Sequence, residues 1–134
     1  MGFWKVDLIS EGNTGFGLPD GAIFDSALAQ VHDDGTEVSD GSRDPVTGSI
    51  CFGSWKKISR LHYHLNHFGK SWVGGVYVGL ARIQEEWLLS EDGNSFTGTF
   101  TVDQYDTVGN LLAHFTGKVA ARRINIDTTV KDLL

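Results

Sequence analysis

Proline is scarce in this 134-residue chain, at two residues, and cysteine scarcer still, at one. The lone Cys51 permits no internal disulfide. With no base beside it in sequence, it is expected to be a small buried apolar residue rather than a nucleophile. No apolar run approaches the ~20 residues that cross a bilayer, so no membrane partner is expected. Basic residues are outnumbered, 11 Lys and Arg against 17 Asp and Glu, for a net charge of -6. That balance argues against non-specific nucleic-acid binding, which needs a cationic surface to displace counterions. There is no G-x-S-x-G, no P-loop, no G-x-G-x-x-G after a strand and no C-x-x-C. The common hydrolase, nucleotide and redox readings therefore lack support, and no cofactor is expected. The start, MGFWKVDLISEGN, lacks the basic-then-apolar pattern of a signal peptide, so the default expectation is cytoplasmic.

Helical periodicity is nearly absent too. The one candidate, "ARIQEEWLLS" at 81–90, also alternates as a strand. What the chain has in quantity is glycine, 17 residues, with abundant Thr, Val and aromatics. Turn signals recur at short, fairly even spacing: "EGN" at 11, "DDGT" at 33, "RDPVTG" at 43, "GG" at 74, "EDGN" at 91 and "TVGN" at 107. Between them lie strand-like runs at 3–9, 22–32, 36–40, 48–58, 60–69, 76–89, 95–106 and 111–124. The expectation is one all-β domain over 1–126, an up-and-down antiparallel barrel of about eight strands, with a polar tail over 127–134. A closed sheet of that size leaves room for side chains or one small ligand. "EGNTGFG" at 11–17 reads as a flexible loop at the barrel mouth.

Alternation assigns the faces, because successive strand residues point to opposite sides. Cys51, Gly53 and Trp55 are expected inside, as are Leu61, Tyr63, Leu65 and His67. On the following strands the inner sets are Tyr77, Ala81, Ile83, Glu85, Trp87 and Leu89, then Phe96, Phe100, Val102 and Gln104. The last strand offers Leu111, Ala113, Phe115, Val119, Ala121 and Arg123.

"GFW" at 2–4 resembles the G-x-W of the lipocalin and calycin barrels. In that family the tryptophan closes one end of the barrel beneath an arginine from the last strand. The resemblance implies that role for Trp4 and Arg123, a guanidinium stacked on an indole. "DGTEVSD", "LNHF" and "NSFTGTFTVDQYDTVGNLLAHFTGKV" are similar to a group of small bacterial lipocalin-like proteins, from about Phe24 to Ile124. The group is a fold largely without an assigned reaction, so the resemblance brings no catalytic residue with it. The chain departs from the group at His62 and His64.

Three of the five histidines crowd "LHYHLNHF". His62 and His64 are two apart and share a face, as two ligands of one metal would. Both are expected to face solvent, with no third ligand nearby, so no metal site is expected. His67 is expected inside, near Tyr63, Tyr77 and Gln104, with Glu85 deeper and free to pair with Arg123. Histidine titrates near neutral pH, and Tyr or Glu can orient it or share its proton. The leading expectation is a cofactor-independent lyase, isomerase, dehydratase or cyclase acting on a hydrophobic or aromatic small molecule. Its catalytic residues would be His67, Tyr63 and Glu85, and its ligand-binding residues Tyr77, Gln104, Trp55, Cys51, Phe100 and Phe115. A non-catalytic carrier or sensor built on the same pocket is the alternative. The oligomeric state stays open, a homodimer included.

Overall fold

A computed structural model describes residues 1–134. Eight strands are joined in order: β1 (Gly2–Ser10), β2 (Ile23–Val31), β3 (Thr36–Asp40), β4 (Ile50–Ser59), β5 (His62–Val73), β6 (Val76–Leu89), β7 (Ser95–Tyr105) and β8 (Leu111–Ile124). Each pairs antiparallel with the next, and β8 closes on β1, from Phe3 opposite Ile124 to Ser10 opposite Gly117. This is an all-β, up-and-down closed barrel. The only α-helix is one turn, Val130–Leu133, started by a reciprocal Thr129–Asp132 cap.

Alternation builds the barrel as the residue pattern predicts. Along β1, Trp4, Val6 and Leu8 point in and are buried; along β7, Phe96, Phe100 and Val102 do the same. The two ends of the barrel then differ. At the end holding the N-terminus, Trp87 stacks on Phe96 at 4.6 Å, and Phe96 meets Trp4 at 5.0 Å. Arg123 covers Trp4, its guanidinium carbon 4.2 Å from the ring centroid, and donates to the carbonyls of Gly93 and Met1. Those aromatic rings fill the interior, and the barrel is closed there. The opposite end is ringed by the loops 11–22, 41–49, 74–75 and 106–110, and its interior is open.

One irregularity redirects a face. β5 continues four residues past the expected end at 69, and its ladder with β6 slips between Ser71 and Trp72, so that Ser71 opposes Gly79 but Trp72 opposes Tyr77. The bulge leaves one β6 residue unpaired and reverses the alternation beyond it. Gly79 holds φ 137, and a Cβ there would lie 1.9 Å from the Tyr105 carbonyl oxygen, so the position accepts only glycine.

Candidate functional site

The open half encloses a cavity of about 490 Å³. Its walls are mostly apolar: Leu65, Ala81, Ile83 and Val102 from neighbouring strands, with Phe24 and Phe115 toward the mouth. Phe115 packs between Phe24 at 5.2 Å and Phe16 of the 11–22 loop at 4.8 Å. That loop is anchored by Asn13, whose buried side chain donates to the Thr116 carbonyl at 2.7 Å and accepts from the Thr116 amide at 2.9 Å. Asp25 ties the 41–49 loop down, accepting from the Ser42 amide at 2.7 Å and from its hydroxyl at 3.0 Å.

Against these walls stands a row of three buried ionisable side chains. His67 Nδ1 lies 3.2 Å from Glu37 Oε2, and His67 Nε2 lies 3.6 Å from Glu85 Oε1. Side-chain exposure is 7%, 1% and 4% for His67, Glu37 and Glu85, low enough that the protein, not water, sets their charge. Three strands supply the row, and a glycine makes it possible. Gly53 of β4 opposes both Glu37 on β3 and His67 on β5. A Cβ at 53 would sit 2.5 Å from His67 Cβ and 3.0 Å from Glu37 Oε2. Without that side chain, Glu37 reaches across a whole strand to the imidazole. Glu85 arrives from β6, where it opposes Leu65, one diagonal step from His67. Its other oxygen accepts from Trp87 Nε1 at 2.6 Å.

Burial penalises a charged imidazole, but the Glu37 hydrogen bond and the charges of Glu85 and Glu37 outweigh it and hold His67 above its ordinary range. Burial pushes Glu85 up as well, further than His67 and the Trp87 hydrogen bond pull it down, and Glu37 and Asp25 add to the push. Both groups therefore hold protons more firmly than they would in water. His67 Nε2 is buried and makes no hydrogen bond. An imidazole between two carboxylates, facing an apolar cavity, has the chemistry to hold and move a proton.

The residues singled out in the sequence divide by position. His67, Glu85, Gln104, Cys51 and Phe115 line the cavity. Gln104 accepts from the Ser71 hydroxyl at 2.9 Å. Cys51 lies deep enough that burial pushes its thiol up to about 12, which keeps it protonated and a poor nucleophile. Tyr63 and Trp55 point inward but belong to the closed half: their rings pack at 5.8 Å, and Trp55 Nε1 donates to the His32 carbonyl at 2.8 Å. Phe100 is 2% exposed and lies behind the lining, against Phe24 at 5.6 Å. Tyr77 is a correction: the β5–β6 bulge puts it on the outside, 36% exposed, packed on Trp72 at 5.5 Å. Glu85 does not pair with Arg123 either; it faces His67 and Trp87 instead.

Comparison with protein-family models, curated proteins and solved structures gives no match for this chain.

Glu37 is the residue sequence reasoning missed. In "TEVSD" the apolar Val38 suggests that even positions face in, yet Glu37 and Ser39 are the buried ones. The available signal was register: a four-residue turn at 32–35 sets Glu37 opposite Val31, a buried inward residue, and the β3–β4 ladder then sets it opposite Gly53, the gap beside His67. On the outer face of β5, His62 and His64 each hydrogen-bond one oxygen of Glu86. The two rings thus share one carboxylate across the β5–β6 ladder, half-exposed to solvent. No group of three or more His, Cys, Asp or Glu side chains has the geometry to hold a metal ion.

Proposed function

We propose that this barrel is a lipocalin-like small-molecule protein whose cavity performs cofactor-independent acid–base chemistry on a hydrophobic or aromatic substrate. The single observation carrying the reading is the buried Glu37–His67–Glu85 row on the wall of an apolar cavity. Two carboxylates and an imidazole buried together cost folding free energy that well-packed apolar residues of the same volume would not. Perturbed ionisable groups in a cleft are the kind of feature from which functional sites are built. The calycin affinity is supported by Gly2, Trp4 and the Arg123 guanidinium over the indole.

The roles follow from the contacts. Glu37 orients His67 through Nδ1 and favours its charged form. His67 is the acid–base group, with Nε2 the nitrogen left for proton transfer. Glu85, buried and itself prone to hold a proton, shares that proton with Nε2. Proton abstraction next to an activating group, followed by elimination, isomerisation or ring closure, is the class such a row serves. The apolar walls by themselves favour the carrier as the second reading.

A probe needing only a base in a water-poor pocket separates the two. 5-Nitrobenzisoxazole opens when one carbon-bound proton is removed. As pH rises through the raised His67 value and Nε2 loses its proton, wild-type protein should open it well above the buffer rate, and His67→Gln should lower that turnover by about 10²–10⁴-fold with an unchanged circular dichroism spectrum. A wild-type rate equal to that of buffer leaves the carrier. There, His67→Gln should weaken ligand binding by only about 1–2 kcal/mol, the scale of one hydrogen bond.

A further inference from the structure

The row is unbalanced. Two carboxylates face one imidazole, so with His67 charged the second carboxylate must take up a proton or meet a cation. Its hydrogen bonding is unbalanced in the same direction. Glu37 Oε2 is engaged by His67 Nδ1, and Glu85 Oε2 by Trp87 Nε1. Glu37 Oε1 accepts nothing, and Glu85 Oε1 has only the long 3.6 Å approach of His67 Nε2, which is itself buried and unpartnered. Around the row the cavity thus offers spare acceptors; the cationic side chains among its lining, Arg43 of the 41–49 loop and Lys70 of β5, are exposed. Trp87 at the closed end and Phe24 and Phe115 toward the mouth also line the cavity, and the faces of aromatic rings attract cations and repel anions.

We propose that the ligand of this cavity is an apolar or aromatic molecule carrying one protonated nitrogen, held between the free oxygens of Glu37 and Glu85. An ammonium or amidinium group brings the donors and the positive charge together, and its apolar body fills the rest of the space. A neutral hydroxyl supplies one donor and leaves the charge uncompensated. A carboxylate placed at the row meets two unpaired carboxylate oxygens and is repelled there. The inference rests on the cavity being a small-molecule site; it does not require turnover. A cavity of about 490 Å³ accepts a two-ring probe.

The test is isothermal titration of the purified full chain with three molecules of one shape: 1-naphthylmethylamine, 1-naphthalenemethanol and 1-naphthoate. The amine should bind at least about tenfold more tightly than the alcohol, and naphthoate should give no measurable heat. Glu85→Gln, which keeps the size and the Trp87 contact, should bring the amine to the level of the alcohol. If the alcohol binds as tightly as the amine, or naphthoate binds, the cationic ligand is wrong while the small-molecule site stands. If none of the three binds, both readings fall. The chain has a net charge of -6. An amine preference that survives in both Glu85→Gln and Glu37→Gln therefore belongs to the acidic exterior and overturns the proposal. Should Glu85→Gln fail to fold, the wild-type ranking of the three probes still decides.

Discussion

β5 carries two histidine clusters on opposite faces, built with opposite stoichiometry. Outside, two imidazoles share the single carboxylate of Glu86; inside, one imidazole stands between the carboxylates of Glu37 and Glu85. The residue types are the same, and the three histidines lie within six positions on one strand. What separates the clusters is water. Outside, any charge left over is solvated, and the cluster does little beyond tying β5 to β6. Inside, a charge left over must be cancelled by a proton or a ligand, so the arrangement has chemical consequences.

The largest test of that contrast removes the rings. His67→Ala leaves two buried carboxylates facing each other and should destabilise the fold by about 3–5 kcal/mol in urea unfolding at pH 7, as loss of one partner of a buried pair does. His62→Ala and His64→Ala should each cost no more than about 1 kcal/mol. Equal losses on the two faces would break the comparison. Gly53→Ala should come next. Its methyl group would enter the gap between Glu37 and His67 and should cost about 1–3 kcal/mol, as overpacking does. A neutral effect would mean that the row does not depend on that gap.

The pH dependence of stability should have opposite signs on the two faces. Glu85 and His67 are held above their ordinary values of 4.5 and 6.5. The folded state therefore binds those protons more tightly than the unfolded chain does. Their contribution is complete below 4.5 and 6.5 respectively and is lost as pH rises through the raised values. Glu86 runs the other way. Slight burial pushes it up, but the hydrogen bonds from His64 and His62 prevail and hold it below 4.5. Its contribution is present above 4.5 and is lost as pH falls through the lowered value. Urea midpoints measured from pH 3 to pH 9 should show the alkaline decline flattened in Glu85→Gln and the acid decline flattened in Glu86→Gln. The reverse pattern would contradict both assignments. The smallest effect is that of salt: raising NaCl to about 1 M, where screening acts within about 3 Å, should erase what Glu86 contributes and leave the buried row almost untouched.

Much of the fold was legible because its cause is local. Turn residues at short intervals and strict alternation delivered eight strands and the inner faces of β5 up to His67, of β7 and of most of β8. The same alternation put His67 inside and His62 and His64 outside. The candidate site was only half legible. His67, Glu85 and Gln104 sit on faces that alternation can assign. Glu37 follows a misleading cue from Val38, and Tyr77 lies beyond a bulge that reverses the pattern.

What the sequence by itself determined is therefore the set of strands and, where the strands are regular, which residues face inward. That follows from a two-residue period carried by each segment on its own. Only the tertiary structure decided which inward residues meet. Glu37 reaches His67 because the β3–β4–β5 register aligns both with Gly53, and Tyr77 leaves the interior because the β5–β6 ladder slips at Ser71. Tyr63 and Trp55 leave the cavity because the packed rings of Trp4, Trp87 and Phe96 close the half of the barrel they occupy. Register, bulges and the filling of one end by aromatic rings depend on several strands at once, and no single segment specifies them.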